Sequence, residues 1–379
     1  MTFTEDELDD LVTLVRAGDT EPGQPAHYEP GQVVRSWAAQ GRVSELVTLC
    51  AKLDERAKGS SGWALARFSA LLRLVEEQLA SIPGEEGAYA LLAVLAADRV
   101  NLVETPRERD AKCRSLASAL ARSQTSTAFL NAAARVELGS DNLELLACWM
   151  HDIVLRGGAL DQEPTAARVV QAIELRQHPL AGLPLTLLEA EKQAPEHCRE
   201  SSRVALDVVR PIGGTPLIND GGRAAVAKRL KDSTLGRRLA YVVRGARVEA
   251  GGFALEPTIL GSARSIFGAL PLASTKAPLS VEESSPSIAW GDLFKHGRAF
   301  ARDRSNAHAR RAAWATFGAL VGATPDATIE AIDAMSAACS FFSFGGSEWF
   351  AGARAALGIA CLRAGGASVA VLAAAIDDA

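Results

Sequence analysis

Residues able to do chemistry crowd one stretch of this chain, Lys295 to Gly322, which reads KHGRAFARDRSNAHARRAAWATFGALVG. It carries Lys295, Arg298, Arg302, Arg304, Arg310 and Arg311 against Asp303 alone. An arginine fork matches the oxygens of a phosphate, so Arg302, Arg304, Arg310 and Arg311, together with His308, form the candidate anion-binding set. A helix opening at Asn306 puts Arg310 and Arg311 on its first turns, toward the end whose dipole favours an anion. A solvated helix entrance, with Asp303 pairing one arginine, accounts for the same residues. His308 beside Asp303 could act as an acid–base pair, but no serine or cysteine nucleophile accompanies it.

Other constellations are thinner. Asn219-Asp220-Gly221-Gly222 before Lys228 and Arg229 could turn backbone amides toward an anion, or be a turn before a capped helix. Glu348 sits on the glycine loop Gly345-Gly346-Ser347. Cys148 and His151, with His197-Cys198, could be assembled into four zinc ligands, although the spacing matches no finger pattern and Cys148 adjoins the apolar Trp149 and Met150. The phosphate loop G-x-x-x-x-G-K-[ST] and the dinucleotide motif G-x-G-x-x-G are both missing, so no cofactor and no metal is expected.

The elements that would position these residues read mostly as helices. Of 379 residues 48% are hydrophobic, enough for a sizeable core, while only 6% are aromatic, which favours Ala- and Leu-rich helices over a β-sandwich. The formal charge of −5 argues against wholesale nucleic-acid binding. The start MTFTEDELDD lacks a secretory leader, no run is long and apolar enough for a membrane span, and six scattered cysteines fit reduced thiols. Together these predict a cytoplasmic protein with no membrane partner.

Helix punctuation recurs along the chain. Thr4-Glu5-Asp6-Glu7 is a capping box before Leu8, Leu11, Val12 and Val15. Ser44 can cap a second helix. Trp63 to Leu79 carries a stripe of Phe68, Leu72, Val75 and Leu79, stopped at Ile82-Pro83-Gly84. Gly87 to Val103 follows, then Thr105-Pro106-Arg107-Glu108, which opens a helix to about Arg122. Further helices are expected over Thr125–Leu138, Asp141–Leu155, from Pro164 to before His178, and from Pro184 to Pro195. No fixed repeat period is visible, and irregular helical repeats fit the spacing better than a closed bundle. After Asp232 the texture changes. Tyr241–Leu255 suggests strands, Ser262–Leu270 a short helix, Ser274–Pro286 a loop and Trp290–Phe300 a helix. Asn306–Val321 is a helix, and Thr324-Pro325 starts another that ends before Gly345. Beyond Trp349 helix and strand compete, and the glycine pair Gly365-Gly366 favours a terminal hairpin.

Arg310-Arg311-Ala312-Ala313-Trp314, followed by Phe317, Gly318-Ala319-Leu320 and Gly322, resembles an Arg-x-Ala-Ala-Trp helix motif of a bacterial family known only as a domain of unknown function. Trp349-Phe350, Leu357-Gly358-Ile359, Ala364-Gly365-Gly366 and Val369 to Ala375 resemble that family's closing apolar hairpin. The likeness covers about the last third, from Val248. It departs at Asn306-Ala307-His308-Ala309, where the family has Gly-Ala-Tyr-Gly, and at Ile376-Asp377-Asp378, where it has Thr-Asp repeats. The resemblance implies no reaction and no ligand.

The expected fold is mainly α: an irregular N-terminal helical array over 1–235, then an α+β region over 236–379 with a small antiparallel sheet. The expected function is a non-catalytic interaction or scaffold protein with a protein partner. The alternative is an enzyme or binding module for an anionic, phosphate-bearing small molecule at the basic stretch.

Overall fold

A computed structural model describes residues 12, 30–97, 100–199, 226–230, 247–255, 263–276, 279–300 and 305–377. The chain divides into two compact units: Met1–Ile153 with Gln162–Gln177, and Val154–Asp161 with His178–Ala379. The expected division at 235/236 and the expected Thr4 capping box lie outside the described residues.

The first unit is helical: α1 (Pro30–Ala39), α2 (Val43–Arg56), α3 (Gly62–Ser81), α4 (Glu85–Ala96), α5 (Pro106–Ser123), α6 (Ser126–Arg135), α7 (Ser140–Leu155, whose end belongs to the second unit) and α8 (Pro164–Leu175). Helix α3 packs on α1, α2, α4 and α5 through Phe68, Leu72, Val75 and Leu79, all buried. Thr105 and Glu108 close a reciprocal capping box at α5, with Pro106 as its first residue. Thr125 Oγ1 accepts from the Ala128 amide at 3.2 Å and starts α6. Ser44 is not a cap: α2 begins at Val43, and the Ser44 hydroxyl donates to Glu45 instead. Helix α4 stops at Ala96, short of the expected Val103. The reason is Asp54, whose carboxylate accepts from the amides of Val100, Asn101 and Leu102 at 3.2, 3.1 and 2.8 Å, so those amides are not available for helix.

The second unit holds α9 (Ala194–Arg199), β1 (Val226–Leu230), β2 (Arg247–Leu255), α10 (Ala263–Ala269), β3 (Ser280–Ser284), α11 (Pro286–Phe300), α12 (Asn306–Val321), α13 (Ile329–Ser336), β4 (Ser340–Gly345), β5 (Ala353–Leu362) and β6 (Ser368–Asp377). The strands form one antiparallel sheet in the order β1-β2-β6-β5-β4-β3. Strands β5 and β6 are a hairpin around Gly365 and Gly366, both at positive φ. Both faces of the sheet are covered, which is why its inner strands are near-continuous apolar runs rather than alternating ones. Phe344, Ala360, Val371 and Phe253 face a cluster with Ile266 and Phe267 of α10. The opposite face meets α11 and α12, where Phe341 stacks on Phe317 with ring centroids 5.1 Å apart.

The structure thus has the expected class, mainly α with an α+β C-terminal region, and corrects several elements. Residues 184–188 are not helical; a 3-10 turn, Glu189–Glu191, follows, and Pro195 lies in the first turn of α9, where its missing N–H costs nothing. Val226–Leu230, inside the expected helical array, pairs with β2. The expected loop before Pro286 contains β3, whose Glu282 and Glu283 suit an edge strand. The helix expected from Thr324 begins at Ile329, because Thr328 Oγ1 takes the Ala331 amide. Its expected continuation to Gly345 is replaced by β4, where three phenylalanines serve the two buried faces.

Candidate functional site

The basic stretch lies in the second unit, along α11 and the start of α12. Arg302, Arg304 and Asp303 are outside the described residues. Ser305 caps α12, its Oγ accepting from the His308 amide at 3.3 Å. One turn on, Arg310 points inward and is fully buried. Its Nε and Nη2 meet Glu191 Oε1 and Oε2 at 2.6 and 2.7 Å, a bidentate fork. Its Nη1 and Nη2 also donate to the carbonyls of Pro184 and Thr186 at 2.9 and 3.1 Å. The same carboxylate accepts from Trp314 Nε1 at 2.7 Å and from the Leu188 amide at 3.1 Å. A buried carboxylate with four donors and a buried guanidinium on protein oxygens meet the condition under which burying two charges is tolerable.

Arg298 of α11 behaves alike. It is buried, donates to the His197 carbonyl, and lies over the Phe294 ring with 5.7 Å to the centroid. Asp333 of α13 accepts from the amides of Glu189 and Ala190 at 3.2 and 3.0 Å. Side chains from three helices therefore clasp residues 184–190 and the end of the short helix α9, satisfying backbone groups there. Arg363 does the same for the end of α12, donating to the carbonyls of Leu320 and Ala319 at 3.1 and 3.0 Å.

Two described members of the set stay nearer the surface. Arg311 is exposed, and His308 is half-buried with its ring centroid 6.3 Å from that of His178. Nδ1 of His178 accepts from the Leu180 amide at 3.2 Å. Arg310 and Arg311 thus diverge, one toward Glu191 and one toward solvent. Glu348 is exposed at the start of a 3-10 turn. Asn219–Gly222 lie outside the described residues. Cys148 and His151 are buried in the first unit, where Cys148 Sγ donates to Glu144 at 3.5 Å, whereas His197 and Cys198 belong to the second.

The model of a family of unknown function, DUF6183, matches residues 29–378. The chain belongs to that family. The match to DUF6183 runs along most of the chain's length, not its last third alone. No curated protein and no solved structure matches the chain at a significant level.

In this DUF6183 chain, Glu191 carries no signal in the sequence, and His197, a candidate zinc ligand by sequence, takes a different place. Glu191 stands in Glu189-Ala190-Glu191-Lys192, an unremarkable charged tetrad, and its partner is 119 residues away. His197 is buried, and among the described residues neither ring nitrogen has a hydrogen-bond partner. It packs so closely on Gly291 that a Cβ there would stand 2.5 Å from Nε2. Burial, then Lys295 and Arg298, pull its pKa down to about 4, so it is neutral at pH 7.

Proposed function

We propose that this protein is a non-catalytic interaction protein of the cytoplasm, and that its helical first unit offers a fixed apolar loop to a protein partner. The observation that carries this reading is the Val100–Val103 turn. Val100 and Val103 are 79% and 75% exposed, while Leu102 between them is buried. Asp54 holds the turn by three amides, and its own carbonyl takes the Asn101 side chain at 2.8 Å. Large apolar side chains on a loop already ordered by hydrogen bonds lose little entropy on binding. The helical array around it supplies the rigid frame on which such loops work. The basic stretch supports the same reading from the other side, since Arg298 and Arg310 are committed to holding the chain itself.

The test has two arms. The Val100→Asp/Val103→Asp double variant should keep the wild-type melting temperature and lose a stoichiometric partner that co-purifies with the wild type. A thermal-shift screen against nucleotides, phosphosugars and divalent cations should give no shift. A shift of several degrees with a phosphate-bearing ligand, removed by Arg311→Ala, would instead establish the anion-binding alternative.

A further inference from the structure

Two of the cysteines stand together on the sheet. Phe341 lies opposite Cys361 across β4 and β5, and Ser340 opposite Leu362. Continuing that register by one residue sets Cys339 against Arg363. Strand alternation then places Cys339 and Cys361 on one face as diagonal neighbours. The Cys361 side chain is thus a neighbour of the Cys339 sulfur, close enough to interact with it. Cys361 is buried, whereas Cys339 is half-buried at the junction of α13 and β4. The Cys339 thiol also reaches the Met335 carbonyl at 3.5 Å, and the Ala364 amide and Arg363 face its sulfur. Nothing in the clasp around Glu191 or in the Asp54 turn uses either cysteine.

We propose that Cys339 and Cys361 form a reversible dithiol site, with Cys339 as the peroxide-reactive thiol and Cys361 as the thiol that resolves it. The Cys339 thiolate attacks one oxygen of a hydroperoxide. The O–O bond breaks, Cys339 becomes a sulfenic acid, and the other oxygen leaves as an alcohol, or as water from hydrogen peroxide, after taking up the proton Cys339 had lost. The Cys361 sulfur then attacks the Cys339 sulfur. An S–S bond forms, the S–O bond breaks, and the hydroxide leaves as water with the Cys361 proton. Two thiols are oxidised by two electrons and one peroxide is reduced; a small dithiol reverses the change.

The surroundings assign the roles. The hydrogen bond from Cys361, with the Ala364 amide and Arg363, brings Cys339 down to about 7 against the opposing effect of its burial, so a sizeable thiolate fraction exists at neutral pH. Cys361, as the donor in that bond and by burial, is pushed up and keeps its proton until Cys339 has reacted. Cys113 in the first unit shows the contrast, since burial pushes it up to about 12.

The experiment treats the reduced full-length chain with about one equivalent of hydrogen peroxide and maps its cysteines by peptide mass spectrometry. The expected product is a Cys339–Cys361 linked peptide, two hydrogens lighter and restored by dithiothreitol. Cys339 should be oxidised about tenfold faster than Cys50 or Cys198. In Cys361→Ser the reaction should stop at a Cys339 sulfenic acid that dimedone traps; Cys361→Ala serves if the serine disturbs the core. Absence of the linked peptide from the wild-type chain, or oxidation of Cys339 no faster than of the buried cysteines, overturns the proposal.

Discussion

The two units join their polar groups over very different lengths of chain. In the first, the Lys112–Glu76, Arg114–Glu144 and Ser118–Asp152 bonds link residues 36, 30 and 34 apart, and Asp54 reaches 48 residues to Leu102. In the second, Arg298 reaches His197 across 101 residues, Arg310 reaches Glu191 across 119, and β2 pairs with β6. The first unit is an assembly of near neighbours along the chain, two of whose helices, α5 and α6, are started by threonine caps. The second depends more on remote pairings, and its residues 184–188 have no regular structure to fall back on. Local contacts form at small loop-closure cost, while remote ones must be collectively strong to hold.

The sharpest way to break that contrast is to remove one side of the remote pair. Glu191→Ala should destabilise the protein by about 3–5 kcal/mol in urea denaturation, because it strands the Arg310 guanidinium in the core. Glu191→Leu with Arg310→Met should lose much less than the two single changes summed, since no lone charge is left buried. Additive losses would mean that Arg310 is held mainly by the Pro184 and Thr186 carbonyls. The local counterpart is smaller. Thr105→Ala removes one side of the α5 capping box and should cost about 1 kcal/mol by the same measurement. A loss as large as that of Glu191→Ala would erase the distinction between the units.

The gentlest probe is a titration of His197. Its folded pKa, about 4, lies below the ordinary value of 6.5, so between those values the unfolded chain binds a proton that the folded chain refuses. Stability contributed by this group is therefore complete above pH 6.5, falls as pH drops through that window, and levels off below 4. His197→Asn should flatten the difference in urea midpoint between pH 7 and pH 5. An unchanged slope would mean that His197 is protonated normally and exposed to solvent.

Much of the helical frame was legible because its signals act within four residues. Thr105-Pro106-Arg107-Glu108, the Phe68–Leu79 stripe, Pro164 and the Asn306–Val321 helix each carry their own start, face or stop. The strands were partly legible: the Gly365-Gly366 turn marks the β5–β6 hairpin, but Ser280–Ser284 has only Val281 to show for its place beside β4. Of the candidate site, the basic character of the stretch was plain and its use was not. Arg310 and Arg311 are adjacent and chemically identical, yet one is buried on Glu191 and the other is exposed. Nothing in their local spacing separates them.

By itself, then, the sequence determined where helices such as α5, α6 and α12 begin and that the C-terminal third would contain an apolar hairpin, because capping hydroxyls, prolines, glycine turns and hydrophobic period act on neighbours along the chain. The tertiary structure alone decided that β6 lies between β2 and β5, that Glu191 and Arg310 meet, and that Cys339 and Cys361 share a face. Those choices depend on which remote surfaces can bury apolar area together while leaving every enclosed charge a partner, a condition on the whole second unit rather than on any window of its sequence.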